Sequence, residues 1–150
     1  MIPLSFRLAK RGDIPQLAGL NAQLILDEGH RNPMDLAALT ERMARWLDGD
    51  YEGVLIEDGS NVVGYALYRS EPEFVYLRQL FVVPERRRQG IARQTLRWLW
   101  DHAWQDAARL RIEVLVDNAA GRLFWMAMGF NEYCITMEAA RPTDGETDLG

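Results

Sequence analysis

Leu80-Phe81-Val82-Val83-Pro84-Glu85-Arg86-Arg87-Arg88-Gln89-Gly90-Ile91-Ala92 is the stretch on which the fold and the chemistry turn. The apolar run to Val83 reads as a strand, Pro84 forces the chain out of a ladder, and a helix opens near Gly90. The first N–H groups of a helix have no internal partner and carry partial positive charge, so this junction offers donors to an anion. Gly90 has no Cβ and lets a ligand approach the backbone, and Ala92 is nearly as small. Arg86, Arg87 and Arg88 are consecutive, with Arg93 one turn further on, and their fixed charge suits a phosphate. A solvated basic turn before an ordinary helix is the competing reading. A dinucleotide fingerprint would need three glycines, and a Walker loop would need a Gly-Lys-Ser/Thr ending; the segment has neither.

The flanks supply the rest of the architecture. Upstream, Ser5 to Leu8 reads as a strand. A helix follows, with Asp13 as cap, Pro15 in its first turn and Gly29 as stop, apolar along Ile14, Leu17, Ala18, Leu24 and Ile25. Past Pro33 a second helix carries Leu36, Leu39, Met43, Trp46 and Leu47 on one stripe and ends at Gly49. Gly53 to Glu57, Val62 to Arg69 and Phe74 to Val83 read as strands joined at Asp58-Gly59-Ser60-Asn61 and Glu71-Pro72, an antiparallel meander. Downstream, the helix from Gly90 turns Ile91, Thr95, Trp98, Leu99, His102 and Ala103 inward. Leu110 to Val116 reads as a strand, and a last helix opens at Asn118 or Ala119, packs through Leu123, Phe124, Ala127 and Met128, and closes at Gly129. Tyr133 to Met137 is expected to be a final strand. The expected class is α+β, an α/β sandwich with a mixed, mostly antiparallel sheet and helices on both faces, in the order β-α-α-β-β-β-α-β-α-β. Residues 1–140 are expected to form a single domain, and the polar Arg141 to Gly150 a disordered tail.

Composition narrows the function classes. Of 150 residues, 48% are hydrophobic and 26% charged, ordinary values for a folded chain. The formal net charge of −5 argues against a general nucleic-acid binder, which needs surplus Lys and Arg. Cys134 is the single cysteine, which excludes an intramolecular disulfide and suits a reducing cytoplasm. No eighteen-residue apolar run suggests a membrane span, and the first residues lack the layout of a signal peptide. No metal is expected. Trp46, Trp98, Trp100 and Trp104 cannot all be deeply buried on two helices, so a homodimer is considered.

Leu80-x-Val82-x-Pro84-x-x-Arg87-x-x-Gly90-Ile91-Ala92 resembles the signature of the GNAT superfamily of N-acetyltransferases, Gln/Arg-x-x-Gly-x-Gly/Ala after a strand ending in Val-x-Pro. Asn118-x-x-Gly121-x-x-Phe124-Trp125-x-x-x-Gly129-Phe130 is similar to a second segment of that family, although its phenylalanine and last glycine also read as core and helix stop. The resemblance implies acetyl-coenzyme A as co-substrate. It implies that backbone donors of Arg87, Arg88, Gln89, Gly90, Ile91 and Ala92 hold the pyrophosphate. Main-chain groups of Leu80, Phe81 and Val82 would then bind the pantetheine arm and thioester carbonyl. Asn118 would contact the same arm, or simply cap its helix.

The acceptor half departs from the family. Trp125 stands where many members place a tyrosine that protonates the departing thiolate. Arg78 and Gln79 replace the acids of the polyamine acetyltransferases, which argues against a polyamine acceptor. Arg78 would either hold an anionic group on the acceptor or pair with Glu113 or Glu73. The connection Asp27-Glu28-Gly29-His30-Arg31-Asn32-Pro33, which borders the acceptor pocket in the family, offers Glu28 and His30 as catalytic acid–base residues or is a plain solvated loop. Tyr133, His102, Glu71, Glu73 and Glu113 are outside candidates. The expected function is N-acetyl transfer to a primary amine of a small molecule, conceivably an anionic one, or of a protein. The alternative is a non-catalytic acyl-coenzyme A sensor.

Overall fold

The computed structural model describes residues 3–29 and 31–143; His30 and the expected tail beyond Thr143 lie outside the described residues. The chain forms two compact units, Met1–Asn118 and Ala119–Gly150.

The first unit holds a five-stranded sheet in the order β1-β2-β3-β4-β5. The strands are β1 (Ser5–Leu8), β2 (Tyr51–Asp58), β3 (Asn61–Ser70), β4 (Val75–Val82) and β5 (Leu110–Arg111), with α1 (Ile14–Glu28), α2 (Leu36–Asp48) and α3 (Ile91–His102) around them. β1 to β4 pair antiparallel, and β5 joins β4 in parallel. The meander therefore forms as its turn chemistry dictates, with Gly59 at φ +62° in the first turn. Two apolar layers cover the sheet. On one face Leu17, Leu20 and Leu24 of α1 and Met43 of α2 meet Tyr51, Leu55, Tyr65, Leu67 and Phe81. On the other, Ile91 at the start of α3 packs with Ile56 and Val63. Helices on both faces of a mixed sheet are thus present.

The helix ends follow their residues. Gly29 takes the left-handed conformation at φ +68° and donates its N–H to Ile25, closing α1. Asp35 caps α2 by accepting from the Ala38 N–H at 2.8 Å, and Gly49 closes it on Arg45 and Trp46. Asp13 stands at the head of α1 without capping it. Its carboxylate turns back to the Lys10 N–H and to Arg7, each at 2.8 Å, because a paired guanidinium competes better than a neutral amide.

Three further expectations fail in this unit. His102 and Ala103 are exposed rather than inward: the buried side of α3 is Ile91, Thr95, Leu96 and Leu99, and His102 stacks on Trp98. Leu36, expected on the α2 stripe, is 58% exposed because it opens the helix before the stripe meets the sheet. The strand expected over Leu110 to Val116 stops at Arg111. The cause lies in β4, where Leu67 pairs with Gln79 and Tyr68 with Leu77, so Arg78 is an extra, bulged residue. A bulge bends its strand and ends pairing, and β5 matches β4 only at Val75 and Tyr76, just before it.

The second unit contains α4 (Ala119–Ala127), in which Trp125 packs edge-on against Phe124 and Phe130, and Gly129 at φ +96° ends the helix. Leu123 and Phe124, expected as packing positions, are exposed, since so short a unit has too few apolar side chains to enclose them. The expected strand Tyr133 to Met137 does not form. Alternation supplies a face, but a strand exists only against a partner, and the described residues of this unit contain none.

Candidate active site

β4 runs into the turn that opens α3, and the two make one continuous feature. Beyond Tyr76 the edge of β4 away from β3 has no strand partner among the described residues, so the main chain of Leu77 to Val82 is open on that side. On its other edge Leu80, Phe81 and Val82 pair with Ala66, Tyr65 and Gly64. The fit at Gly64 is close: a Cβ there would lie 2.2 Å from the Phe81 carbonyl oxygen.

After Val82 the chain makes a 3-10 turn over Pro84–Arg86, closed by Arg86 N–H to Val83 and Arg87 N–H to Pro84. Arg88 and Gly90 then both adopt positive φ, +62° and +78°. Arg88 is the one non-glycine residue among those described to do so, a costly conformation that concentrates at functional turns. The first backbone bond of α3 runs from Gln94 N–H to Gly90 carbonyl. The N–H groups of Gln89, Gly90, Ile91, Ala92 and Arg93 are therefore left without backbone acceptors at the positive end of the helix dipole. Arg87, by contrast, spends its N–H inside the turn.

The arginines divide into two jobs. Arg86 pairs with Asp58 at 2.8 Å and bonds Gln89 at 3.0 Å. Arg87 donates its Nε to the Val82 carbonyl at 3.0 Å, pairs with Asp27 at 3.0 Å and lies over the Phe81 ring. These two fasten the turn to the sheet and to the end of α1. Among the described residues Arg88 and Arg93 have no such carboxylate, and both are exposed.

The helix-covered face beside this strand is unusually polar. Tyr65, fully buried, donates its hydroxyl to Gln79 at 2.8 Å, and burial pushes the phenol far above its ordinary pKa. Asn21 and the positive charge of Arg42 oppose that rise, and the negative charge of Glu28 at the end of α1 adds the smallest push. Arg42 of α2 donates to Asn21 of α1 at 3.0 Å, and Arg78 donates to the Tyr51 hydroxyl at 3.2 Å. The alternative of an Arg78 ion pair is not taken up: Glu113 instead accepts from the Tyr76 hydroxyl, and Arg78 has no carboxylate partner among the described residues.

The structure thus gathers Arg78, Leu80, Phe81, Val82 and the Arg87-to-Ala92 turn on one strand and its exit, with Glu28 next to Asp27, which ties the end of α1 to that turn. Asn118 ends the first unit and donates its N–H to Leu115. Tyr133 belongs to the second unit and is 77% exposed. Asn21 and Arg42 were missed from the sequence although a signal exists. Each is a polar residue inside an apolar stripe, Asn21 between Leu17 and Leu24, and Arg42 between Leu39 and Trp46. Among the described residues no group of three His, Cys, Asp or Glu side chains could hold a metal ion, and no helix is long and apolar enough to cross a membrane.

A bulged meander strand that opens one edge and then enters a glycine-started helix is the framework of an acyltransferase that handles a phosphate-bearing acyl carrier. The Acetyltransferase (GNAT) family matches residues 22–130, and the chain belongs to it; its co-substrate is acetyl-coenzyme A. Among solved structures, a possible acetyltransferase from Clostridium difficile 630 is similar at TM-score 0.76 and 17% identity, with 93% of this chain and 98% of that one covered. A predicted acetyltransferase with acetyl-CoA from Clostridium acetobutylicum follows at 0.73 and 19%, covering 92% and 96%. A ribosomal-protein-alanine N-acetyltransferase from Brucella melitensis biovar Abortus 2308 gives 0.73 and 18%, covering 93% and 99%. At these identities the likeness is one of fold. No curated protein matches the sequence.

Proposed function

We propose that this acetyltransferase moves an acetyl group from acetyl-coenzyme A to a primary amine of a small molecule or a protein. The observation that carries the donor half is the run of unpaired N–H groups from Gln89 to Ala92 beside the open edge of β4. Those donors, with the main chain of Arg87 and Arg88 shaping the turn, suit the pyrophosphate. Leu80, Phe81 and Val82 are proposed to bind the pantetheine arm and, at the thioester, the developing oxyanion through those main-chain groups that face the edge of β4 away from β3. Asn118 is proposed as a further contact to that arm. Residues 1–140 would work as one catalytic domain, a reading supported by a family match that runs across both units.

Transfer requires a neutral amine. Glu28 and His30 are proposed to take its proton, directly or through water. Glu28 is the last residue of α1, next to Asp27, which pairs with Arg87 of the turn. Tyr65 itself is a poor proton donor, since its raised pKa keeps the phenol neutral and its hydroxyl is committed to Gln79. Arg78 is proposed to contact the acceptor. A reducing cytoplasm, with no membrane or nucleic-acid partner, is the proposed setting, and a homodimer is its proposed assembly, with Trp100, 38% exposed, as one available apolar surface.

The test is release of free thiol from acetyl-coenzyme A in the presence of an amine panel. Amine-dependent release, lost in Glu28→Gln, is the expected result. Tight acetyl-coenzyme A binding without release from any amine would instead favour a non-catalytic acyl-coenzyme A sensor, the reading suggested by Trp125.

A further inference from the structure

Two arginines share one indole on the helix-covered face. The Arg42 guanidinium lies 4.3 Å from the Trp46 ring centroid and that of Arg78 lies 4.8 Å from it. Neither has a carboxylate at ion-pair distance among the described residues, although every neighbouring surface arginine that anchors the fold has one: Arg7, Arg69, Arg86 and Arg87. Arg42 sits within the inward stripe of α2, where an apolar side chain would serve packing better. Its Nη2 reaches Asn21, but its Nε is buried and meets no acceptor. Asn21 is fully buried, and its Nδ2 also lacks an acceptor at hydrogen-bond geometry. Burial and the positive charge of Arg78 both hold Arg42 below its ordinary pKa, as expected of a guanidinium without a counter-ion.

Arg42, part-buried with a spare donor and beside a second cation, is costly to keep there unless an anion joins the pair, and the exposed Arg78 is open to that anion from solvent. The shape of the anion follows from what is left. One side of each guanidinium is covered by the indole, so binding is through guanidinium edges, which match the coplanar oxygens of a carboxylate. Arg78 is three residues before Phe81 on β4, so about 10 Å of strand separates it from the proposed thioester position. That is within the reach of one amino acid extended from the arginine head groups.

We propose that Arg42 and Arg78, stacked on Trp46, bind the carboxylate of the acetyl acceptor, making the substrate a free amino acid or a similarly small amino-carboxylate. This rests on the acetyltransferase reading for the word acceptor, but the carboxylate site can be tested without turnover.

Thermal shift and calorimetry on the coenzyme A-bound protein, with a panel of free amino acids and their carboxamides as probes, test it. At least one free amino acid should stabilise the protein while its carboxamide does not. Arg42→Met and Arg78→Gln should each weaken that binding by tenfold or more without altering acetyl-coenzyme A affinity. Arg42→Met also takes the donor from the buried Asn21 oxygen and should melt lower for that reason, so Arg78→Gln, at an exposed position, carries the test at unchanged stability. Equal binding of acid and amide, no binding by any free amino acid, unchanged binding in Arg42→Met, or preference for phosphoethanolamine would each overturn the proposal. Arginine-dependent carboxylate binding without thiol release would sustain the site and sink the transfer reading. Thiol release indifferent to the carboxylate would do the reverse.

Discussion

Two glycines on either side of the cofactor strand are required for different physical reasons, and substitution should separate them. At Gly90 nothing lies within 4 Å of a built Cβ, so only the φ of +78° opposes a side chain. Gly90→Ala should cost about 1–2 kcal/mol, the price of a left-handed L-residue, and weaken acetyl-coenzyme A by distorting the donors around it. At Gly64 the backbone is ordinary, but a Cβ would sit 2.2 Å from the Phe81 oxygen. Gly64→Ala must spread β3 from β4 and should be the more destabilising of the two in a denaturant titration. Equal losses would contradict the distinction. Arg88 provides the complement: it already bears a left-handed φ, so Arg88→Gly should leave stability unchanged or raise it. Of these features only Gly90 was legible in the sequence. The Gly64 requirement depends on a partner strand seventeen positions on, which no local pattern reports.

Between elements, short polar ties set the geometry that the apolar layers leave loose. Arg87 joins the Val82 carbonyl to Asp27, and so locks the phosphate turn to the end of α1. Both partners are near 40% exposed, so the pair contributes little to stability. Arg87→Ala should lower global stability by about 1 kcal/mol or less while raising the KM for acetyl-coenzyme A several-fold. Asp27→Asn should give a smaller rise, since the bond to Val82 remains. β1 and the turn before α1 are tied by Arg7, Asp13 and Glu57. The Arg7 hydrogen bond and the Lys10 N–H hold the Asp13 carboxyl below its usual range. A depressed carboxylate pKa stabilises the folded state above the unfolded value, about 4, and the stabilisation is lost as pH falls through the folded value. Asp13→Asn should therefore cost about 1 kcal/mol at pH 7, discounted for the exposed Arg7, and nothing once both forms are protonated. A constant deficit across that range in pH-dependent denaturation would contradict it. The Asp13 cap failed because Arg7 and the Lys10 N–H take its carboxylate, while the helix stops at Gly29, Gly49 and Gly129 were readable because a glycine acts locally. The shortened β5 was not: the bulge that stops it appears only when Leu67 and Tyr68 are matched to Gln79 and Leu77.

For the whole molecule, binding of acetyl-coenzyme A to the native state alone should raise stability by mass action, by about 2.7 kcal/mol at a hundredfold excess over Kd. The gain should fall with added salt, because much of the recognition is charge on phosphate. No melting shift at millimolar acetyl-coenzyme A would remove the donor site assigned to the Gly90 turn. The sequence by itself determined the meander, the flanking helices, the family signature and the glycine-started head of α3 that is the proposed anion site. Each depends on periodicity, on proline and glycine, or on spacing within a dozen residues. Only the tertiary structure decided that Arg78 is a bulged residue, that it shares Trp46 with Arg42, and that neither has a carboxylate partner among the described residues. Ion pairing and burial are set by side chains brought together from α1, α2 and β4, and contacts between distant segments leave no period in the chain. The sequence announces the proposed donor half of the site; folding assembles the proposed acceptor half.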